Sequence, residues 1–143
     1  MTADLPLYRL YLLRAAYLLI GGGLIVTLWP LIISRGPEIG LMNGVAWSML
    51  GALSILALFG LRYPLQMLPL LMFEIGWKAF WTLAYGLPLW LSDKMTEAHV
   101  QTAFEVGAIV VVLPAVPWTY LWRQYVMRKG DRWTTQRTAS AER

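Results

Sequence analysis

The sequence predicts an all-α integral membrane protein, an up-and-down bundle of four helices, and three observations lead to that fold class. Hydrophobic residues make up 58% of the 143 residues and charged residues only 14%, against roughly 25% charged residues in an ordinary soluble domain. Four long apolar runs fill most of the chain, at residues 12–33, 39–61, 65–91 and 100–126. About 20 mostly apolar residues let a helix cross a hydrocarbon layer of about 30 Å, and the short connections make consecutive helices antiparallel.

The first two runs are the most uniformly apolar. The run at residues 12–33 continues well beyond the core of a cleaved signal peptide, so we interpret it as a retained first span. Its Gly21-Gly22-Gly23 segment favours close helix approach or local bending. The run at residues 39–61 contains no charged residue and predicts the second span.

The third and fourth runs are longer and contain prolines. Each has about 27 residues, roughly 40 Å of helix at 1.5 Å per residue, so both spans should tilt or bend. Pro114 and Pro117 each remove a backbone donor and free the carbonyl one turn earlier, which then needs a partner in protein or water. The sequence therefore predicts a kink near Val110 to Pro114.

The basic residues are distributed unequally between the two ends of the predicted spans. Only Arg35 and Lys94 lie in the loops at one end, and Lys78 lies within a span. The other end has nine: Arg9, Arg14, Arg62, Arg123, Arg128, Lys129, Arg132, Arg137 and Arg143. Basic residues collect beside helix ends that stay in the cytoplasm, so both termini are predicted to be cytoplasmic. Residues 128–143 are predicted to form a basic tail that meets anionic membrane lipids or docks a partner through Trp133.

Aromatic residues support the same arrangement, because Trp and Tyr prefer the headgroup level of a bilayer. Three of them, Trp29, Tyr85 and Trp90, are predicted to lie in the outer belt. The predicted inner belt contains Tyr8, Tyr11, Tyr63, Trp118, Tyr120, Trp122 and Tyr125.

Two opposite charges lie near the middle of the third run. Glu74 and Lys78 are one helical turn apart, in the order that favours an intrahelical ion pair. Charged residues at this depth usually face protein and serve a purpose. The pair is interpreted either as neutral polar contact toward a neighbouring helix, or as part of a site for a substrate, quinone or proton. The second interpretation adds the aromatic neighbours Trp77, Trp81 and Tyr85 as stacking surfaces.

Glu105 lies in the fourth run and completes the predicted ligand-binding set. It reaches either the outer headgroup water or the interior of the bundle. With Lys78 and Leu113 taken as span centres, Glu105 lies about 12 Å outward of Lys78 and about 18 Å from the level of Glu74. On that estimate Lys78 is within reach of Glu105, and Glu74 is not.

Several kinds of site are excluded by composition. The chain has no cysteine and a single histidine, His99, so thiolate metal sites, iron–sulfur clusters and a haem with two strong axial ligands are not predicted. We expect no metal and no cofactor. The net charge of +4 is explained by the residues beside the spans, so nucleic acid is not a predicted partner.

A ridge of small residues at four-residue spacing, Gly44, Ser48 and Ala52, runs along the second span. Such a ridge lets another helix come close. Two possibilities stay open, a close crossing inside the bundle and self-association between copies.

The second half of the chain resembles an uncharacterised family of small four-span inner-membrane proteins of Gram-negative bacteria. The segments that carry the resemblance are Arg62-Tyr63-Pro64, Met67-Leu68-Pro69-Leu70-Leu71, the Trp-rich third run, and the stretch from Pro117-Trp118 through Tyr125 to Gly130-Asp131-Arg132-Trp133. The resemblance implies the bacterial inner membrane and four spans. It implies no activity and no site residue.

The favoured function is a non-enzymatic membrane component that binds another membrane protein, a lipid or a small amphiphile. An oligomeric proton-coupled transporter of small molecules is the alternative. An enzyme that modifies a lipid or quinone comes third.

Overall fold

The computed structural model describes residues 5–131, and this part of the chain contains helices and turns without a β-strand. The first two helices are α1 (Leu7–Arg35) and α2 (Leu41–Arg62). A short 3₁₀ turn, Gly36–Glu38, connects them. Its first residue, Gly36, has a φ of 48°, a backbone conformation that glycine adopts without strain. The two helices therefore form an antiparallel hairpin with a tight connection.

Small residues at three-residue spacing let α1 and α2 pack closely. Gly51, Ser54, Ala57 and Gly60 are all buried. A Cβ added to Gly60 would clash with the Tyr17 ring, and one added to Gly21 would lie 3.1 Å from both the Ala57 Cβ and the Ser54 carbonyl oxygen. Glycine is needed at these positions because two backbones approach each other there.

The predicted close crossing inside the bundle at the Gly44, Ser48 and Ala52 ridge is wrong. Ser48 and Ala52 are exposed, and a Cβ added to Gly44 would meet nothing within 4 Å. The reason is that α1 packs against the face of α2 that carries Ser54, Ala57 and Gly60. Self-association through the ridge stays a prediction.

The third run is helical but not uniform. The helix α3 (Leu68–Trp81) continues through a π-helical turn, Thr82–Gly86, into α4 (Leu87–Leu91). The Leu87 N–H donates to the Thr82 carbonyl, five residues back. Pro88 follows and has no N–H to offer the carbonyl of Ala84, which explains why the helix widens at this turn.

The fourth run is interrupted. The helix α5 (Glu97–Gly107) tightens into 3₁₀ segments at Ala108–Val111 and Leu113–Ala115. The backbone is then extended at Val116, with φ −72° and ψ 124°, before a separate helix, α6 (Trp118–Trp122), which ends in a π-helical turn at Arg123–Met127. The continuous span predicted at residues 100–126 is thus two elements, and the predicted kink is a full break two to three residues beyond Pro114.

Two side chains bond backbone carbonyls at the break. The Trp118 indole N–H donates to the Leu113 carbonyl at 3.1 Å, and the Arg9 guanidinium donates to the Pro114 carbonyl at 3.1 Å. Pro117 has no N–H for the Leu113 carbonyl, which accepts instead from the indole and from the Val116 N–H at 3.3 Å.

The buried core lies toward the end of the molecule that contains the start of α1. There the Arg14 guanidinium donates to the Leu61 carbonyl at 3.0 Å, and the Tyr17 hydroxyl donates to the Pro64 carbonyl at 2.8 Å. These two bonds tie α1 to the turn after α2. The core side chains are Leu13, Ala16, Tyr17, Ile20, Leu53, Ala57, Leu68, Leu71, Val112, Ala115, Val116 and Leu121.

Three helical segments are long and apolar enough to cross a membrane: Leu7–Glu38, Leu41–Arg62 and Glu97–Ala115. The run from α3 to α4 is not among them, and it contains Glu74 and Lys78. A fourth crossing therefore stays a prediction. The predicted basic tail lies outside the described residues from Arg132 onward.

Candidate functional site

Glu74 is the one charged residue that is buried among residues 5–131, with 2% of its surface exposed. It lies on the face of α3 that carries Leu71 one turn before it and Lys78 one turn after it. Leu71 and the adjacent Ile75 pack in the core with Val112. The Glu74 carboxylate therefore lies on the buried face of α3, next to apolar side chains.

Both carboxylate oxygens of Glu74 have partners on the same helix. Lys78 Nζ lies 2.9 Å from Glu74 Oε2, and Trp77 Nε1 donates to Glu74 Oε1 at 3.2 Å. The spacings of three and four residues place these three side chains on one side of α3. The Lys78 ammonium also lies 5.4 Å from the centroid of the Trp77 ring.

The arrangement is electrically neutral and hydrogen-bonded without help from another helix. Burying a charge is costly unless it is paired and hydrogen-bonded, and here both conditions are met within one turn. Lys78 retains 14% exposure of its side chain. Among residues 5–131 neither charge makes a polar contact with another helix, so both sequence interpretations of the pair stay predictions.

The predicted aromatic stripe does not continue along α3. The Trp81 ring packs on Gly86, since a Cβ at Gly86 would lie 2.9 Å from Trp81 Cζ3. Tyr85 is 59% exposed. The π-helical turn accounts for the difference, because it makes Gly86, five residues on, the neighbour of Trp81 in place of Tyr85.

Glu105 points away from the buried pair. Its side chain is exposed, as is Gln101 one turn earlier, whereas the adjacent Val106 is buried. Val106 is also the central residue of the apolar segment Glu97–Ala115. The six predicted site residues thus separate into a contacting trio, buried Glu74 with half-buried Trp77 and Lys78, and three side chains that do not join it.

The depth predicted for Glu105 changes with the limits of its segment. The sequence estimate took Leu113 as the span centre and placed Glu105 about 12 Å outward of Lys78. In the structure, Ala108–Val111 packs against α3 and α5 packs against Thr82–Gly86. Glu105, in α5, therefore belongs to the segment that packs beside Thr82–Gly86, and its side chain is exposed.

Two polar contacts were not found from sequence. The Trp29 indole donates to the Ser54 hydroxyl at 3.0 Å, which in turn donates to the Gly51 carbonyl at 2.6 Å, so α1 and α2 share a hydrogen bond. His99, expected at the surface, lies in a capping box with Thr96 at the start of α5. The Thr-x-x-His spacing is the sequence signal for the second contact.

No protein-family model, curated protein or solved structure matches this chain. Within residues 5–131 no group of three or more His, Asp or Glu residues could hold a metal ion. The candidate site therefore consists of the Glu74–Lys78 ion pair with Trp77, and of the exposed carboxylate of Glu105 apart from them.

Proposed function

We propose that this chain is an integral protein of the bacterial inner membrane, with four crossings and both termini in the cytoplasm. Three segments of sufficient length and apolar character support the proposal. Large apolar side chains are also exposed on every long helix, among them Val26, Ile33, Leu41, Phe80 and Phe104. Lipid would cover such a surface, which water does not favour.

The proposed third crossing is the run from Leu68 to Leu91. Its length of 24 residues corresponds to about 36 Å of helix, enough for a hydrocarbon layer of about 30 Å. The neutral Glu74–Lys78 pair lowers the cost of placing two charges in lipid, since only the pair, and no isolated charge, has to be buried.

The proposed fourth crossing is Glu97–Ala115. It has 19 residues, of which those in the 3₁₀ segments rise about 2.0 Å each and those in α5 about 1.5 Å, a total of about 32 Å. The tightened segments therefore let a short run cross the layer. On this arrangement Glu105 lies about 12 Å from the outer end of the span, close to mid-depth.

The function we propose is a non-enzymatic subunit that binds another membrane protein through the exposed face of α5. The observation that carries it is the exposed carboxylate of Glu105 near the middle of a span. A lone charge facing hydrocarbon costs at least about 2.5 kcal/mol. A partner helix that presents a basic or hydrogen-bonding side chain at this depth would remove that cost.

The contacts of Glu74 favour this function over a carrier or an enzyme. Both of its oxygens are engaged by Trp77 and Lys78, whereas Glu105 is exposed and makes no contact with them. A carrier or an enzyme would instead be expected to turn its carboxylates toward one shared cavity.

Quantitative mass spectrometry of the full chain purified in mild detergent tests the function. The variants are Glu105→Leu and, as a matched control on the same helix, Glu97→Leu at its first turn. We expect a membrane protein in stoichiometric amount with the wild type and with Glu97→Leu, and at least tenfold less of it with Glu105→Leu. Identical sets of proteins from all three would contradict the proposal.

A further inference from the structure

The helix α6 changes direction relative to the segment before it. The apolar segment ends at Ala115, Val116 is extended and Pro117 has ψ 81°. The Arg9 guanidinium bonds the Pro114 carbonyl, so the break lies at the arginine-rich end where α1 begins. The chain has therefore reached the level of the α1 start before α6 begins.

One face of α6 packs on the bundle. Leu121 is 6% exposed and belongs to the core, and Tyr120 packs against it. Had α6 continued straight beyond the start of α1, Leu121 would have no core to contact. The helix is therefore folded against the end of the bundle.

An aromatic stripe occupies the next face of α6. Its large side chains are Tyr125 in the π-helical turn, Trp118 and Trp122 one turn apart in α6, and Val126 beside Tyr125. They are 48%, 53%, 61% and 57% exposed, respectively. The stripe continues the apolar surface of the bundle without being covered by any described element.

Basic residues border the stripe. Arg123 comes directly after α6, at the start of the π-helical turn, and Arg128 and Lys129 follow that turn; all three are exposed. Asp131 is the one acidic residue among positions 117–131, and across residues 5–131 none of these three basic residues forms an ion pair. A helix with aromatic residues on one face and basic residues beside it is typical of the interface between hydrocarbon and headgroups.

We propose that α6 lies along the cytoplasmic surface of the membrane and binds anionic phospholipid headgroups. The aromatic stripe enters the headgroup level, and Arg123, Arg128 and Lys129 contact the lipid phosphates. The proposal rests on the membrane insertion proposed above. It replaces the inner end of a fourth transmembrane helix with a helix parallel to the surface.

The membrane depth of spin labels on this segment distinguishes a helix parallel to the surface from the inner end of a transmembrane helix. The chain contains no cysteine, so single spin labels can be attached to Thr119→Cys and to Val126→Cys. Both positions are exposed; Thr119 lies in α6 and Val126 in the π-helical turn after it, seven residues on and about 10 Å along the helix axis. The full chain is placed in phosphatidylcholine vesicles containing phosphatidylglycerol, and oxygen and a water-soluble nickel chelate report the depth of each label.

We expect both labels at headgroup depth and within about 3 Å of each other, less than the axial rise of one helical turn. A difference in depth near 10 Å would show a helix that crosses the membrane. Two labels fully in water would show a helix that does not contact the membrane. Each of these results overturns the proposal. A label at Ala52→Cys, exposed in the middle of α2, separates the failures: if it too lies in water, membrane insertion itself is wrong.

Lipid charge is tested by counting phosphatidylglycerol molecules retained by the full chain in native mass spectrometry. The Arg123→Gln, Arg128→Gln, Lys129→Gln variant should bind this lipid on the order of a hundredfold more weakly, about fivefold for each basic residue. The matched control is Arg35→Gln with Lys94→Gln at the opposite end. Equal retention by the two variants would contradict the headgroup contacts of α6.

Discussion

Lys78→Met should destabilise the folded protein more than any other single change to the buried ion pair. The substitution leaves Glu74, 2% exposed, with only the Trp77 indole at 3.2 Å as a partner. Removing one member of a buried pair costs about 3–5 kcal/mol because the other charge stays buried and uncompensated. We expect the lower part of this range, since Lys78 is 14% exposed and the indole bond survives.

Neutralising the other member of the pair should lower the free energy of unfolding by less. Glu74→Gln keeps the size of the side chain and an acceptor for the Trp77 indole, and the Lys78 side chain is long enough to move its ammonium toward water. The double variant Glu74→Gln, Lys78→Met removes both charges, so it should lie within about 1 kcal/mol of the wild type. The three values together give the coupling energy between the two side chains.

Unfolding of the full chain in mixed micelles, with sodium dodecyl sulfate as denaturant and tryptophan fluorescence as the signal, measures these differences. Lys94→Met, an exposed lysine beyond α4, is the control and should stay within about 0.5 kcal/mol. If Lys78→Met costs less than about 1 kcal/mol, or no more than Glu74→Gln, then Glu74 is not a buried carboxylate held by Lys78, and the reasoning fails.

Two further predictions concern packing and helix capping. Gly60→Ala should destabilise the protein by about 1–3 kcal/mol in the same assay because its Cβ would meet the Tyr17 ring, whereas Gly44→Ala, with open space around it, should be neutral or stabilising by up to about 1 kcal/mol. A loss at Gly44 as large as at Gly60 would contradict the α1–α2 crossing. Thr96→Ala removes the hydroxyl that accepts from the His99 N–H and should cost about 0.5–2 kcal/mol; unchanged hydrogen exchange at the first turn of α5 would show that the cap does not stabilise the helix.

Local features of the fold follow from the sequence most directly. The runs at residues 12–33 and 39–61 correspond to α1 (Leu7–Arg35) and α2 (Leu41–Arg62), because an unbroken apolar stretch has few alternatives to a helix. The contact between Glu74 and Lys78 is likewise local, since the helical period alone brings residues four apart together.

Features of the fold that depend on contacts with a neighbouring element could not be predicted from the sequence. Pro114 and Pro117 indicate a disturbed helix, but the chain breaks two to three residues beyond Pro114, where the Arg9 and Trp118 side chains bond the Pro114 and Leu113 carbonyls. The outward direction of Glu105 depends on which face of α5 packs against Thr82–Gly86. No periodic pattern of residues in the sequence predicts the contacts at the break or the packing of α5.

Contact with a neighbouring element also determines which of two stripes of small residues on α2 is packed. Gly44, Ser48 and Ala52 have the spacing of a helix-packing motif, yet Ala57 and Gly60, on another face, meet Gly21 and Tyr17 of α1. Composition makes both faces suitable for close approach. The choice is made by Tyr17, whose ring lies where a side chain at position 60 would be.

The ion pair within α3 also has a consequence for biogenesis. A helix that met its counter-charge only on a later helix would have to wait at the translocon until that helix was synthesised. Because Lys78 follows Glu74 by four residues, α3 carries no net charge in its middle as soon as it forms. We therefore expect it to pass sideways into lipid on its own, before α5 has left the ribosome.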